Sequence, residues 1–323
     1  MKRMHFLLFI RVLLFISATF FFAGCGPEET HREEKGDDRT RMARPQEPIR
    51  LVYPDWSSET ASAHLIQAVL QERLGYTVEL IPVKVEEMWR QVASGEADVL
   101  AGAWLPVTHK DYYAEYGDRV VDLGANLTGA RIGLVVPTVI PSRQTAATGK
   151  TGRKLVTIKT IEQLRGVSDR FAGKIIGIES GAGVVSRSKE ALTAYGIQHL
   201  YRVVETDERR MVNRVTEAIH REKWIVFTGW RPHWFFERYN LRFLEDPKNV
   251  FGGEESIHTM VRKGFEKDMP EAYTALSRIE YNVEDLERLM EWIRVAEDEP
   301  YLQALRWIDV YEQRVDAWVA GLE

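Results

Sequence analysis

The chain has one cysteine, little net charge and, beyond its N-terminus, no long uncharged apolar run. With one cysteine, no disulfide can form within the chain. The net charge of −5 argues against nucleic acid as a partner, because nucleic-acid binding requires a basic face. No uncharged apolar run of about 18 residues follows the N-terminus, so no transmembrane helix is predicted for the body. The 323 residues suffice for one large domain or two lobes.

The N-terminal segment has the features of an export signal. It begins with basic residues, and an apolar stretch follows at 12–22. Phe22-Ala23-Gly24-Cys25 then resembles the bacterial lipoprotein signal, in which a peptidase cuts before the cysteine and lipid is attached to its sulfur. The chain's one cysteine stands at this position. We predict a signal peptide at 1–24 and lipidation of Cys25, with an uncleaved anchor or a plain secretory signal as alternatives.

Residues 25–48 form a polar segment with charges of both signs and almost no apolar side chains. Such a segment cannot bury enough apolar surface to fold. We predict a flexible tether that holds a soluble domain near a membrane surface. The expected location is the cell envelope, either periplasmic or on the outer face of the cytoplasmic membrane, with the lipid as the membrane anchor.

From residue 49 onward, short apolar runs alternate with segments of helical periodicity. Strands are predicted at 49–53, 78–83, 97–101, 132–136, 171–178, 199–204 and 224–228, and helices at 57–74, 85–93, 183–195, 207–221 and 232–239. This alternation predicts an α/β fold with mostly parallel sheets and helices on both faces. An irregular stretch at 141–157 divides two such runs, and the pattern after Leu244 is helical. We therefore predict one lobe from 49–140 plus 244–323 and a second lobe from 141–243.

Motifs that would indicate an enzyme are incomplete. Gly149-Lys150-Thr151 resembles the end of a phosphate-binding loop, but Gln144 stands where that motif requires glycine. Ile178-Glu179-Ser180-Gly181 lacks the glycine that a nucleophile elbow has two residues before its serine. No cluster has zinc-ligand spacing, and no Asp-rich calcium loop occurs. We predict no enzymatic activity, no cofactor and no metal.

Three tryptophans are predicted to follow strands: Trp56, Trp104 and Trp230. The carboxyl ends of strands in α/β sheets face the ligand cleft. One such tryptophan is more often a packing residue, but three at equivalent positions favour a shared cavity. A quaternary ammonium suits such a cavity because it has no N–H to donate and desolvates readily. Each indole face contributes about 0.5–2 kcal/mol of cation–π attraction.

A glycine-rich turn, Gly181-Ala182-Gly183-Val184, joins a predicted strand to a predicted helix. The N–H groups of Gly183 and Val184 would lie at the positive end of that helix, which attracts anions. His109, five residues after Trp104, could donate a third hydrogen bond. These residues suit a ligand with a cationic head and an anionic tail.

These residues resemble the substrate-binding proteins of ABC importers for the osmoprotectants glycine betaine and proline betaine. The matching motifs, in family order, include Met88-Trp89, Ala103-Trp104-Leu105-Pro106 with His109-Lys110, Gly133-Leu134-Val135-Val136-Pro137, Gly183, Thr228 to Phe251, and Arg262-Lys263-Gly264-Phe265. The resemblance implies a type II periplasmic binding protein whose two lobes close on the ligand. It implies an aromatic cage of Trp56, Trp104 and Trp230, and a carboxylate site of His109, Gly183 and Val184. The implied partner is an ABC permease with its ATPase subunit.

Other functions remain open from the sequence. The ligand could be choline or carnitine, although choline lacks the carboxylate that His109, Gly183 and Val184 would bind. The chain could sense a betaine instead of transporting it. An enzyme acting on betaines, such as a demethylase, would need a metal, flavin or folate site, and the sequence offers none.

Overall fold

The structure is a computed structural model that describes residues 47–139, 155–296 and 299–322. The predicted signal peptide, Cys25, nearly all of the tether and residues 141–154 of the predicted loop lie outside these ranges. Among the helices described, none has the length and apolar character needed to cross a bilayer.

The described strands form one mixed sheet in the order β2-β1-β3-β9-β4-β7-β5-β6, with β8 paired to β4. They are β1 (Ile49–Tyr53), β2 (Val78–Pro82), β3 (Val99–Leu105), β4 (Val120–Pro137), β5 (Lys174–Ile176), β6 (Arg202–Val204), β7 (Phe227–Arg231), β8 (Leu241–Phe243) and β9 (Glu255–Arg262). Strand β3 is buried at all seven positions. Its apolar run, Val-Leu-Ala-Gly-Ala-Trp-Leu, suits a strand covered on both faces.

Strand β4 joins two halves of this sheet. Its first part pairs with β9 as far as Ala130, opposite Glu255. Its second part pairs with β7 from Arg131 onward, opposite Arg231. We call β1, β2, β3, β9 and the first part of β4 the first half, and β5 to β8 with the rest of β4 the second half. Two backbone segments link the halves: β4 itself and the chain between β8 and β9.

The prediction of parallel pairing holds within each α/β run. Strands β1, β2 and β3 pair in parallel, as do β5, β6 and β7. Strand β4 and strand β9 instead form antiparallel pairs. The prediction of a helical pattern throughout the region after Leu244 was wrong, because β9 lies there. Strand β4 is also far longer than the predicted 132–136.

The helices are α1 (Ser57–Leu74), α2 (Val85–Ser94), α3 (Lys110–Tyr116), α4 (Gly183–Ala194), α5 (Glu208–His220), α6 (Phe235–Arg238), α7 (Phe265–Asp268), α8 (Pro270–Arg278), α9 (Val283–Val295), α10 (Pro300–Val310) and α11 (Glu312–Val319). Gly75 and Gly95 end α1 and α2 in the left-handed conformation, at φ 70° and 80°. Glycine adopts this conformation without the steric penalty of a Cβ. Helices α8 to α11 pack against α1, so the C-terminal helices belong to the first half.

Three local predictions need correction. The strand predicted at 97–101 runs from Val99 to Leu105. The strand predicted at 224–228 is displaced to Phe227–Arg231, and the helix predicted at 232–239 is shortened to Phe235–Arg238. Trp230 therefore lies within β7 and Trp104 within β3, each one residue before the strand's last residue. The reason is pairing: β4 holds β7 as far as Arg231, beyond the end of the apolar run. Pro232 still marks the stop, since it has no N–H to donate.

Candidate functional site

One cavity lies where the two halves of the sheet meet. Its empty volume, open solvent included, is at most about 270 Å³, so the cavity is small. The first half contributes Trp56, Trp104 and Thr108, and the second half contributes Ile132, Ile178, Ala182, Gly183, Val184 and Trp230. No lining side chain carries a charge. The wall is therefore largely apolar and aromatic.

The three predicted tryptophans come together at this cavity. Each is almost fully buried, with 6% exposure for Trp56, 2% for Trp104 and 3% for Trp230. The ring centroids of Trp56 and Trp230, from opposite halves, lie 6.3 Å apart at an interplanar angle of 48°. Tilted arrangements of this kind are favoured for aromatic pairs over face-to-face stacking.

Each indole N–H is held by a specific acceptor. The Nε1 of Trp104 donates to Oε1 of Glu59 at 2.9 Å. The Nε1 of Trp56 donates to Oε1 of Glu179. The Nε1 of Trp230 donates to Oγ of Ser58 at 3.3 Å. The bonds of Trp56 and Trp230 cross between the halves, so the orientation of these two indoles depends on the halves being together.

The loop that carries Thr108 is fixed by Glu255 at the start of β9. The Oε1 of Glu255 accepts the N–H groups of Val107 and Thr108 at 2.7 and 2.8 Å, and Oε2 accepts the hydroxyl of Thr108. Glu255 is 2% exposed and lies opposite Ala130, where β4 passes from one half to the other. The Thr108 backbone is thus tied to the linking strand.

The N-terminus of α4 faces the cavity from the second half. The first N–H groups of a helix have no acceptor within it. The N–H groups of Val185 and Ser186 turn back to the carbonyl of Ala182, at 2.9 and 3.2 Å. The N–H groups of Gly183 and Val184 make no backbone hydrogen bond of this kind, and their role as anion donors stays a prediction. Both residues line the cavity, and Ala182 offers no side-chain cap.

His109 stands apart from the other predicted site residues, because it is not among the residues that line the cavity. Its Nδ1 accepts the backbone N–H of Trp104 at 3.1 Å, so the proton is on Nε2. The Nε2 is buried and has no partner among the described residues. Burial lowers the pKa of His109 to about 3, which keeps the ring neutral near pH 7. Its contact with a ligand carboxylate stays a prediction.

A buried network lies beside the cavity. Glu208, on α5, accepts from the N–H of Ser57 at 2.8 Å and from its hydroxyl, across the halves. It also accepts from Nε2 of His233 at 3.1 Å. Burial raises the pKa of Glu208. The hydrogen bonds with His233 and Ser57 lower this pKa by more than burial raises it, so the net shift is downward. The ring of His233 packs against Trp230 at 4.8 Å, which fastens that tryptophan to its own half.

A second buried carboxylate, on α9, binds the segment from Arg231 to His233. Glu287, fully buried, accepts from the guanidinium of Arg231 at 2.9 and 2.6 Å and from the N–H of His233 at 3.1 Å. Because α9 packs on the first half, this ion pair is another link between the halves. Buried charges of this kind are stable only when every partner is present.

Sequence reasoning missed Glu59, Glu179 and Glu255. An acidic residue in the first turn of a helix, such as Glu59 in α1, is ordinarily solvated and favourable to the helix dipole. One signal was available: Gly102 interrupts the apolar run of β3, and a Cβ there would lie 2.3 Å from Oε2 of Glu59. The missing side chain makes room for the carboxylate.

Glu59 should make the ligand-free protein less stable as the pH rises. Burial raises the pKa of Glu59 from 4.5 to about 7; the hydrogen bond from Trp104 lowers it and the charge of Glu208 raises it. Its stabilising contribution is therefore complete below about pH 4.5 and is lost as the pH rises through about 7. Between these two pH limits, the free energy of unfolding falls by about 3 kcal/mol on account of this group. The free energy of unfolding of Glu59→Gln minus that of wild type should therefore be larger at pH 8 than at pH 5.

Urea unfolding of both proteins at the two pH values measures this change. Comparing variant with wild type removes the contributions of other titrating groups. Glu266→Gln, at an exposed position of α7, is the matched control. An equal difference between Glu59→Gln and wild type at pH 5 and pH 8 would contradict the assignment.

The fold places the chain in the type II periplasmic binding protein class, as its similarity to solved members shows. The chain matches the family described as the substrate binding domain of ABC-type glycine betaine transport system over residues 47–310, and it belongs to that family.

Three relatives illustrate the similarity. The glycine betaine/carnitine transport binding protein GbuC of Listeria monocytogenes is 32% identical over 168 residues, which are 52% of this chain and 56% of GbuC. That match thus spans little more than half of the relative. Lactococcal OpuAC, in a closed conformation complexed with glycine betaine, is 35% identical with a TM-score of 0.76, and the match covers 85% of this chain and 100% of the chain in that structure. A choline binding protein of an ABC transporter, complexed with choline, is 25% identical with a TM-score of 0.73, covering 85% of this chain and 92% of that protein.

Proposed function

We propose that this protein binds glycine betaine, or a close zwitterion with a quaternary ammonium head, in the cavity between the two halves and delivers it to an ABC permease. The observation that carries the proposal is the combination of three indoles and a free helix N-terminus around one cavity without a charged wall. A ligand with balanced charges fits such a cavity, because the ligand as a whole has no net charge for the wall to neutralise.

The energetics are consistent with a useful affinity. Three indole faces contribute about 4–6 kcal/mol in a dry cavity, before the costs of association. The N–H groups of Gly183 and Val184, with the positive end of α4, add attraction for the carboxylate. If the unpaired Nε2–H of His109 turns to the ligand, it supplies a third donor. Together these interactions bring a micromolar dissociation constant, about −8 kcal/mol, within reach.

We propose that the two halves act as lobes that close on the ligand, one near 49–130 plus 244–323 and the other near 131–243, so that the first boundary lies within β4 and not at the predicted residue 140. The cavity takes walls from both halves, and the two indole bonds to Glu179 and Ser58 cross between them. A ligand that contacts both lobes has higher affinity for the closed state than for an open one. Lobe closure would then report the ligand to the permease.

The lipid anchor at Cys25, the location outside the cytoplasmic membrane and the partnership with a permease and its ATPase belong to the same proposal. They are supported by family membership and by the N-terminal sequence. The proposed role is binding and delivery, without catalysis.

Choline is the second candidate, since a choline binding protein shares the fold at 25% identity. Choline has a hydroxyl in place of the carboxylate, and that hydroxyl would need an acceptor. The wall offers that hydroxyl one side-chain oxygen, the Oγ1 of Thr108, whose own proton is donated to Glu255. The free groups at α4 are donors, which suit an anion better. Carnitine retains a carboxylate but is bulkier than glycine betaine, so cavity size would limit it.

Calorimetric titration of the purified protein with glycine betaine, proline betaine, carnitine and choline tests the proposal. We expect a dissociation constant in the micromolar range for glycine betaine and at least tenfold weaker binding of choline. Mass spectrometry of small molecules released on denaturation identifies any ligand that co-purifies. Stronger binding of choline than of glycine betaine would reverse the assignment, and binding of neither would refute it.

A further inference from the structure

Two carboxylates lie directly behind the indoles of the cavity, although the wall itself carries no charge. Glu59 accepts the indole N–H of Trp104 at 2.9 Å, and Glu179 accepts that of Trp56. Within the part of the chain that the structure describes, neither carboxylate forms an ion pair with a lysine, arginine or histidine. When ionised, both carboxylates are thus without a cationic partner next to an apolar cavity.

Such an arrangement is unfavourable unless something compensates it. Glu59 is only 2% exposed, and the charged group that acts on it, Glu208, is also acidic and raises its pKa. A buried, unpaired carboxylate costs far more than a neutral amide of the same shape. Glutamine would accept the same indole N–H at lower cost. The hydrogen bond therefore does not explain the charge.

We propose that Glu59 and Glu179 are specificity-determining residues that make the cavity prefer a positively charged head group over an uncharged group of the same shape. The inference rests on the proposed function. Each carboxylate accepts an N–H at the edge of its indole ring, so a cation over the face of Trp104 or Trp56 would be separated from the carboxylate by about the width of one ring. Coulomb attraction between the cation and a nearby carboxylate is strong in a poorly solvated site. An N–H bonded to a carboxylate also makes the ring more electron-rich, which strengthens cation–π attraction.

The groups that face the two carboxylates do not cancel this effect. Glu208 and Tyr281 interact electrostatically with Glu59, while Glu208 and Asp207 act on Glu179. None of them is cationic, although His233 donates a hydrogen bond to Glu208. Because burial raises the pKa of Glu59 to about 7, measurements at pH 8 keep this side chain mostly ionised.

The test compares glycine betaine with 3,3-dimethylbutanoate, in which a tert-butyl group replaces the trimethylammonium. Both affinities are measured by calorimetry at pH 8, the second by competition, for wild type, Glu59→Gln and Glu179→Gln. We expect each variant to bind glycine betaine about tenfold more weakly. The affinity for dimethylbutanoate should stay unchanged or rise, since this ligand is an anion. The melting temperature of the ligand-free variants should stay unchanged or rise.

Ser58→Ala is the matched control, because it removes the acceptor of the third indole, Trp230, without changing the charge. We expect it to weaken both ligands by the same factor. The proposal is overturned if the glutamine variants bind glycine betaine like wild type, or if they lose affinity for both ligands equally. Failure of the wild type to bind glycine betaine would instead refute the proposed function.

Discussion

Replacing Trp104 by leucine should lower the affinity for glycine betaine by about 100-fold. Trp104 is 2% exposed, lines the cavity and is oriented by its bond to Glu59. Leucine keeps the position apolar but removes the π face, which is worth about 2 kcal/mol when the cation is desolvated. The remaining loss comes from the smaller contact area. Trp104→Phe keeps a π face and should lose only about tenfold.

The control for this prediction is a buried tryptophan away from the cavity. Trp307, on α10, is fully buried and packs against Trp318 at 6.0 Å. Trp307→Leu should lower the free energy of unfolding by about 3 kcal/mol and leave the calorimetric affinity unchanged. If Trp104→Leu and Trp307→Leu changed the affinity alike, the loss would reflect general destabilisation and the cage would be wrongly assigned.

The cavity could be predicted from sequence because its main residues stand at places governed by local rules. Pro232 stops a strand next to Trp230, and the glycine-rich turn before Gly183 opens a helix. Apolar runs mark the strands that lead to Trp56 and Trp104. Each rule needs only a few neighbouring residues. The carboxyl edge of the strands then brings distant residues to one place.

Strand β9 could not be predicted in the same way. It contains the expected alternation of buried and partly exposed positions, but its buried positions include Glu255 and Thr259. A charged residue ordinarily indicates an exposed position. Glu255 is buried because three donors from the loop at Thr108 satisfy it, and that loop is far away in sequence. The first part of β4 was missed for a related reason, since its pairing with β9 overrides a run containing Gly124 and Gly129.

The acceptors behind the indoles depend on contacts still further apart. Glu179 meets Trp56 across 123 residues, and Ser58 meets Trp230 across 172. Nothing in the local sequence around Glu179 distinguishes it from a solvated loop residue. The cavity wall thus follows from local patterns, whereas the charges behind it follow only from the assembled fold. An effect of these charges on the ligand can therefore be inferred only from the structure and not from the sequence.

Gly183→Ala should reduce the affinity for glycine betaine by about 100-fold while leaving the ligand-free fold intact. A Cβ at this position would lie 2.2 Å from the carbonyl oxygen of Thr108 and 2.5 Å from its Cγ2. The oxygen cannot move away easily, because Glu255 holds this loop by three hydrogen bonds. Gly183 does not have a positive φ, so alanine brings no backbone strain and favours the helix.

Gly183→Ala should therefore oppose the approach of the two halves. Ligand binding requires this approach, whereas an open, empty protein does not. Calorimetry gives the affinity, and thermal unfolding gives the stability with and without glycine betaine. The melting temperature of the empty variant should match wild type, and the shift caused by glycine betaine should largely disappear. Gly166→Ala is the control, since a Cβ there meets nothing within 4 Å. Should the empty Gly183→Ala protein melt well below wild type, the Thr108 contact would belong to the resting fold and closure would need another explanation.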